Sequence, residues 1–419
     1  MGAIVENKVG FKETKLGWVP NDWSVTLLKS LVDPKRKIRY GIVQPGKFDP
    51  DGRYLLRGQD YSSSKGWNKP ENLFKVSDEV ESRYVKARLS KDDLIITIVG
   101  AGTGYVAQIP EWLDGANITQ TTARIAIDKN IAEPNFYKQY LNSDLGKKQV
   151  YRFVKGGAQP GLNVGDVEKF KILFPPLLEQ QKIAKILSAW DKAIEKLEQL
   201  ISEKEQLKKG LMQQLLTGEK RFPGFTDEWE EVKLGDVYEI VGGGTPDTNN
   251  LAYWEGSIQW YTPTEIKSKY VSKSVRTITE KGLANSSAKL LPAGTLLFTS
   301  RATIGDVGFT TEQATTNQGF QSFLPNSDNE LHFLYYWILQ NRHEFIRRSS
   351  GSTFLEISKK EVQKVKISLP SKQEQKKIAD ALGSFDREIE SLNAELSQFK
   401  NQKKGLTQQL LTGKITVSI

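Results

Sequence analysis

Side chains capable of covalent chemistry are scarce in this sequence. Its 419 residues include no cysteine and only two histidines, His332 and His343, so disulfides, thiol nucleophiles and cysteine-based zinc sites are excluded. Both histidines fall in the apolar, aromatic stretch 331–345, which predicts a helix with structural histidines rather than ligands. The carboxylates are scattered, without a spacing typical of a nuclease. The residue types therefore favour binding over catalysis.

Two glycine-rich segments resemble nucleotide-binding loops only superficially. Residues 99–104 read VGAGTG, but the GxGxxG pattern would need glycine where Tyr105 stands, so a tight turn is the better interpretation. Residues 241–246 read VGGGTP and lack the GK[ST] ending of a phosphate-binding loop. The [DNS]PP[YFW] motif of amino-methyltransferases is also missing. We therefore expect no catalytic residues and no metal site in this chain.

Basic and polar side chains on predicted loops are plentiful. Lysine and arginine outnumber aspartate and glutamate by 59 to 50, which gives a net charge of +9 and favours a polyanionic partner without requiring one. Arginine and glutamine read guanine and adenine edges, whereas lysine, serine and threonine more often contact phosphates. Any single one of these residues could be an ordinary surface side chain; as a set they favour DNA. The candidates for DNA contact are Lys35, Arg36, Arg39, Tyr40, Arg57, Gln59, Gln120, Arg124, Lys155, Thr264, Lys267, Arg301, Thr303, Asn317, Gln318, Ser352 and Thr353.

The elements that would position these residues are arranged in an internal repeat. Segment 179–218 aligns without gaps to segment 374–413, with more than half of the positions identical, and both end in QQLLTG. Each copy follows a short strand and a proline, FKILFPP in the first and VKISLP in the second. The preceding domains match only weakly. A repeat whose helices are alike while its domains have diverged indicates one shared task and two different ones.

Both repeated segments have the periodicity of long coiled-coil helices. Apolar residues recur in steps of four and three, as in Ile183, Leu187 and Trp190, which defines a heptad seam. Each seam is interrupted once at the equivalent place, by Lys208 and by Lys403. A helix of roughly 55 Å, at 1.5 Å per residue, cannot bury its seam within one domain of ordinary size. We therefore expect the two seams to pack on each other as an antiparallel coiled coil; a core helix flanking each domain is the alternative.

The fold class predicted from these patterns is α+β, with an internal pseudo-twofold repeat. Short β-branched runs alternate with turns rich in glycine, asparagine and proline, and helices are predicted near 136–151 and 331–348. We expect two globular domains separated by the two long helices. The predicted boundaries are 1–178 for the first domain, 179–217 for the first helix, 218–372 for the second domain, and 373–419 for the second helix and tail.

The chain resembles the specificity subunits of Type I restriction–modification systems along its whole length. The opening of each long helix at 175–180 and 370–375, and the QQLLTG endings, are similar to the conserved regions of that family, although Lys372-Gln373 replaces the commoner apolar pair. Residue triplet 156–158, Gly-Gly-Ala, departs from the family pattern. The segments similar to target recognition domains are Tyr40-Gly41, Pro45-Gly46, Arg57–Asp60, Gly242–Pro246, Tyr253-Trp254, Ile258–Trp260, Gly351–Thr353 and Ile357-Ser358.

The resemblance implies two target recognition domains, each reading one half of a split site in double-stranded DNA. It also implies two modification subunits, which bind S-adenosylmethionine and methylate adenine, and restriction subunits that use ATP and magnesium. No cofactor is expected in this chain, no membrane association is expected, and the cytoplasm is the expected location. Two other classes remain open: a coiled-coil scaffold joining two protein-binding domains, and a self-sufficient DNA-modifying enzyme.

The predicted length of the helices leads to a test of what sets the distance between the two half-sites. Two domains on one face of a duplex need half-sites about one turn, or roughly 10 base pairs, apart. Four residues inserted between Gln214 and Gly218 add about 6 Å of helix, which corresponds to at most about two base pairs of duplex. We expect unchanged half-sites with a gap lengthened by one or two pairs, as read by mapping methylated positions. An unchanged gap with full activity would show that the helices do not set the distance.

Overall fold

The computed structural model describes residues 9–62, 66–156, 160–351 and 355–417. The chain divides into two compact units, the first made of Met1–Leu197 and Glu395–Ile419 and the second of Glu198–Ala394. Both long helices therefore contribute one part to each unit. Within the described ranges, no helix is both long enough and apolar enough to span a membrane.

The first unit is mixed α+β, as the sequence pattern predicts. Its described strands are β1 (Phe11–Thr14), β2 (Gly17–Pro20), β3 (Ser24–Leu27), β4 (Arg39–Tyr40), β5 (Arg53–Leu56), β6 (Tyr61–Ser62), β7 (Gly66–Trp67), β8 (Phe74–Val76), β9 (Leu94–Thr97), β10 (Val106–Gln108), β11 (Asn117–Ile118), β12 (Thr122–Ile125) and β13 (Lys171–Phe174). Its described helices are α1 (Asp78–Ser82), α2 (Pro134–Asn142), α3 (Asp144–Phe153), α4 (Val164–Glu168) and the first part of α5 (Leu177–Leu215).

Two sheets carry most of the first unit. One is antiparallel with the order β10-β9-β12-β4, and the other has the order β11-β5-β8, with β11 and β5 parallel. Strands β9 and β12 are buried along their length. The apolar run Leu-Ile-Ile of β9 is typical of such a strand, whereas β12 buries Arg124. Trp23, which is fully buried, packs in one core with Ile183 and Leu187 of α5 and Leu410 near the end of the second long helix.

The second unit repeats this plan with different strand lengths. Its described strands are β14 (Glu230–Lys233), β15 (Ile240–Gly242), β16 (Trp254–Tyr261), β17 (Tyr270–Val271), β18 (Arg276–Ile278), β19 (Leu296–Phe298), β20 (Val307–Thr310), β21 (Ala314–Thr316), β22 (Gln321–Phe323) and β23 (Lys366–Leu369). Its described helices are α6 (Leu234–Val237), α7 (Glu280–Ala284), α8 (Leu331–Gln340), α9 (Arg342–Arg347), α10 (Lys359–Gln363) and the first part of α11 (Lys372–Leu410). The sheets have the orders β15-β22-β19-β20-β17 and β18-β16-β21.

A buried glutamine near the start of each long helix attaches that helix to its domain. In the first unit, Gln180 accepts a hydrogen bond from the Glu133 main-chain amide (2.9 Å) and donates to the Pro175 carbonyl (2.8 Å). In the second, Gln375 accepts from the Glu330 amide and donates to the Pro370 carbonyl, both at 2.9 Å. Because each glutamine is at most 1% exposed, losing either bond would leave a buried polar group without a partner. The glutamine of the repeated Glu-Gln pair thus has a structural role.

The lysines that interrupt the two seams form ion pairs with the facing helix segment inside each unit. In the first unit, Lys403 of α11 pairs with Asp191 of α5, beside an edge-to-face contact of Trp190 with Phe399. In the second unit, Lys208 of α5 pairs with Asp386 of α11 at 2.5 Å. Residues nearer the start of one helix therefore meet residues nearer the end of the other. The two helix segments run in opposite directions within each unit.

In each unit, the aspartate that pairs with the lysine also accepts a hydrogen bond from a side chain of the globular domain. Gln139 of α2 donates to Asp191 in the first unit, and Tyr336 of α8 donates to Asp386 in the second. Lys269 adds a third bond to Asp386, at 3.0 Å. Burial alone would raise the pKa of Asp386, but the hydrogen bonds that it accepts hold it below its ordinary value. Each aspartate thus joins both helix segments to the domain of its unit.

The partly buried ion pair of the first unit predicts a stability effect. Replacing Lys403 with methionine leaves Asp191 without its cation. We expect the free energy of unfolding to fall by about 1–3 kcal/mol, between the values typical of exposed and of buried pairs. The measurement is the thermal unfolding midpoint of the full chain. Lys404, the exposed neighbour on α11 with no ion pair among the described residues, provides the matched control Lys404→Met. Equal shifts for the two variants would contradict a specific role for the pair.

Candidate nucleic-acid interface

A short turn follows the central strand of the smaller sheet in each unit and displays candidate residues. After β5, the Arg57 amide donates to the Asp60 carboxylate (2.8 Å), and the Arg57 guanidinium makes two further bonds to it, each of 3.0 Å. After β16, the Thr262 amide donates to Glu265 at 2.7 Å. An acid three residues on closes each turn by accepting from its first amide. Gln59 and Thr264 occupy the same position in the two turns, and both are exposed.

A second segment lies beside each turn and carries a glutamine at the same place. The amide of Thr119 donates to the Leu56 carbonyl, and the amide of Asn317 donates to the Tyr261 carbonyl, both at 3.0 Å. Since Leu56 and Tyr261 end their strands just before the turns, these bonds fix the same register in both units. Gln120 and Gln318 follow at equivalent positions, and both are exposed.

A third loop follows β9 in the first unit and β19 in the second. Each loop is closed by a glycine amide that donates back to a threonine at the end of the strand or just after it: Gly104 to the Thr97 carbonyl (2.8 Å) and Gly305 to the Thr299 carbonyl (3.0 Å). Gly104 and Gly305 have φ values of +92° and +88°, which favour glycine. The tight turn predicted at 99–104 is confirmed.

These three segments form a loop cluster in each unit, comprising 57–60, 98–104 and 119–121 in the first and 262–265, 300–305 and 317–319 in the second. In the first unit they line a cleft of about 470 Å³ that contains Arg57, Gln59 and Gln120 together. In the second unit, Thr245 donates a hydrogen bond to the Gln318 side chain at 2.6 Å, and Arg301 pairs with Glu356 at 2.8 Å. Donors and acceptors that lie far apart in sequence are thus brought side by side.

The other candidates lie in several places. Arg39 and Tyr40 are exposed on the edge strand β4, where they line a separate cleft of about 630 Å³. Asn317 is partly buried and accepts a bond from the Gly319 amide at 2.8 Å. Ser352 and Thr353 lie outside the described residues. Of the rest, Lys35, Lys155 and Lys267 are exposed, and Thr303 is partly buried.

Two further candidates of the first unit, Arg124 and Arg36, make structural bonds, as Arg57 does with Asp60. Arg124 is only 3% exposed, and its guanidinium donates to the carbonyls of Lys86, Arg88 and Lys37 at 2.8–3.2 Å. Burial and the nearby charge of Arg36 lower the pKa of Arg124 to about 10. The prediction that Arg124 contacts DNA is wrong in this structure, because strand β12 directs the side chain into the interior. Arg36 is half-buried and forms two bonds with the Asp93 carboxylate, of 2.8 and 2.5 Å.

Sequence reasoning missed basic and aromatic residues on helix α3. Lys147 and Tyr151 are four residues apart on this helix, and they line a cleft of about 510 Å³ together with Gln59 of the loop cluster. Lys147 is exposed, and Tyr151 is 75% exposed. The spacing placed them on one helix face, but nothing in the sequence indicated that this face adjoins Gln59. Arg342 in α9 donates to the Thr303 carbonyl at 3.2 Å in the second unit.

The described parts of the chain contain no group of three or more histidine or carboxylate side chains able to hold a metal ion. Both histidines are surface side chains of helices in the second unit. His332 stacks on Phe309 with ring centroids 4.3 Å apart and binds Glu330 at 2.8 Å. The loop clusters present side chains suited to hydrogen bonding and charge pairing.

Comparison with known proteins gives a consistent assignment. The family model for the Type I restriction modification DNA specificity domain matches residues 20–206 and 226–401. The chain is 28% identical to the MjaX specificity subunit of Methanocaldococcus jannaschii, over 97% of both proteins. It is 39% identical to the Type I restriction enzyme MjaIX specificity subunit of the same organism, over 39% of each.

Solved structures share the fold at low sequence identity. An HsdS subunit from Thermoanaerobacter tengcongensis is 20% identical, with a TM-score of 0.51, 95% of this chain covered and 98% of that one. The S subunit of a Type I restriction-modification system from M. genitalium is 18% identical, with a TM-score of 0.58, 95% of this chain covered and 96% of that one.

The loop clusters predict separable losses of DNA recognition. Alanine at Arg57 or Gln59 of the first unit, or at Arg301 or Gln318 of the second, should weaken specific binding by roughly 1–3 kcal/mol and relax one base position if the side chain reads a base. The measurement is competitive binding to a cognate duplex and to single-base variants at fixed salt. Gln206→Ala, at an exposed position of α5, is the control. A uniform loss across all sequences would indicate a phosphate contact, and no loss would remove the residue from the interface.

Proposed function

The chain belongs to the Type I restriction modification DNA specificity family, and from this membership we propose that each unit reads one half of a split DNA site with its loop cluster. As a specificity subunit, it gives a restriction–modification complex its DNA sequence recognition. The proposal concerns which residues do so and how the work is divided between the units.

The observation that carries the proposal is a repeated backbone with different side chains on it. Matching bonds hold the turns at 57–60 and 262–265: the first amide of each donates to the carboxylate three residues on, and the amide of that acid donates back to the first carbonyl. Arg57 stands where the second unit has Thr262, and Gln59 stands where it has Thr264. Exchanging side chains on a constant backbone changes the donors and acceptors offered to base edges without changing the docking geometry. Two unlike half-sites are the expected result.

The long helices are the second part of the proposal. We infer that α5 and α11 pack as an antiparallel coiled coil, and the Lys403–Asp191 and Lys208–Asp386 pairs support this within each unit. The repeated helix surfaces, alike in sequence while the domains differ, fit two copies of one partner. Specificity subunits of this family work with modification and restriction subunits; two modification subunits per chain is our proposal.

Catalysis in the complex belongs to the partners in this proposal. S-adenosylmethionine, ATP and magnesium would be bound by the modification and restriction subunits, and this chain would supply recognition and positioning. A scaffold that joins two proteins without DNA would not need the exposed glutamines and basic side chains of the loop clusters. A self-sufficient enzyme would need a cofactor motif, and none is found in the sequence.

The test is an exchange of one domain. Segment 222–372 is replaced by the corresponding segment of a relative that recognises a different site, and the chimera is assembled with modification subunits. Methylation mapping should show one changed half-site and one unchanged half-site, because each loop cluster is built within its own unit. The reciprocal exchange of the first domain is the control and should change the other half-site.

The chimera without modification subunits serves as a second control and should methylate nothing. Simultaneous change of both half-sites would rule out independent reading by the two units. Methylation by the purified chain alone would revive the self-sufficient enzyme.

A further inference from the structure

The two equivalent glutamines of the loop clusters have different neighbours. The Ile42 amide donates to the Ile118 carbonyl (2.7 Å), and the Gly244 amide donates to the Thr316 carbonyl (2.8 Å), so these segments lie in the same register. The next residue is Val43 in the first unit and Thr245 in the second. In this register the strand neighbour of the glutamine is β-branched in each unit, and in the second unit the two side chains are bonded. Valine and threonine have nearly the same shape, but only threonine has a hydroxyl.

The hydroxyl of Thr245 donates to Oε1 of Gln318 at 2.6 Å. Among the described residues, the side chain of Gln120 has no hydrogen-bonding partner, whereas the Gln120 main-chain amide donates to the Ile42 carbonyl at 3.0 Å. Gln318 is therefore held from the side, while the amide of Gln120 can rotate. The two glutamines occupy equivalent positions, but their side-chain amides differ in their freedom to rotate.

We propose that Thr245 is a positioning residue that fixes the amide of Gln318 for base reading, and that Val43 leaves Gln120 free to adapt. This inference rests on the proposed function, because it needs the loop cluster of the second unit to face DNA. No direct contact of Thr245 with a base is required.

The chemistry of the amide group explains why its orientation matters. Glutamine offers one carbonyl acceptor and one NH₂ donor group, and bidentate reading of adenine uses both in a fixed order, the acceptor for N6–H and the donor for N7. An amide that can turn over by 180° presents the two groups in either order and so discriminates less between bases. The carbonyl oxygen has two lone pairs, so Oε1 can accept from Thr245 and from a base together. The Thr245 hydroxyl can donate to Oε1 or accept from Nε2, so its bond anchors one end of the amide and limits its rotation. In the orientation of the structure the hydroxyl holds Oε1, which leaves Nε2 to donate to a base.

The inference predicts opposite effects for exchanges at the two positions. Thr245→Val removes only the hydroxyl and should lower discrimination at one base pair of the second unit's half-site by roughly 3- to 10-fold, the range expected for one hydrogen bond. Thr245→Ser keeps the hydroxyl and should retain the wild-type preference. Val43→Thr places a hydroxyl beside Gln120 and should sharpen discrimination at one pair of the first half-site.

The measurement is the methylation rate of the complex assembled with modification subunits, on competing duplexes that differ at one pair. The ratio of the methylation rates on two duplexes distinguishes a positioning effect from a folding defect, because a loss of folded complex lowers all rates equally. The domain exchange described above assigns each half-site to its unit, and Gln318→Ala reports whether this glutamine reads a base at all.

The outcomes separate the two levels of the argument. If Gln318→Ala changes the preference at one pair but Thr245→Val does not, the positioning role is overturned and the DNA-reading loop cluster stands. If Gln318→Ala leaves every ratio unchanged, the assignment of this cluster to base reading fails first. A uniform rate loss in Thr245→Val, with its ratios unchanged and Thr245→Ser equally affected, would also overturn the proposal.

Discussion

The structure depends on one kind of interaction, a lysine–aspartate pair placed where an apolar seam is interrupted. Lys403 meets Asp191 in the first unit, and Lys208 meets Asp386 in the second. An uninterrupted apolar seam can slide by a heptad at little cost, whereas a polar pair in the seam is satisfied in only one register. In the second unit the carboxylate also accepts from Tyr336 and Lys269, so the same bond network that sets helix register also holds the domain.

The attachment of each domain to its long helix bears on the proposed reading of bases. The buried glutamines Gln180 and Gln375 bind both their own helix entry and the first turn of the neighbouring domain helix. Reading a base edge requires donors and acceptors placed to within a fraction of an ångström. For the base reading proposed above, the domain of each loop cluster must not rock on its helix, and the repeated Glu-Gln at 179–180 and 374–375 lies where that attachment is made.

The sequence predicted which residue types the candidate site would contain, but not which individual residues belong to it. The sequence indicated Gln59, Gln120 and Gln318 as polar residues on loops, and the structure places all three at the surface of loop clusters. It could not separate them from Arg124, because an arginine in a strand looks the same whether its side chain points outward or, as here, donates to three main-chain carbonyls. Tyr151 was missed because the sequence does not show that its helix lies beside the loop that carries Gln59.

The sequence by itself determined the repeat, the two long helices, the mixed α+β domains and the family, because these depend on local periodicity and on similarity along the chain. It also located both lysines that interrupt the seams, but it assigned them no partner. The tertiary structure alone decided that Lys403 pairs with Asp191, that Arg124 is buried, and that Thr245 lies against Gln318. Each of these joins residues far apart in sequence. Such contacts depend on strand register and helix direction, which the folding of the whole unit establishes and which no local pattern of residues encodes.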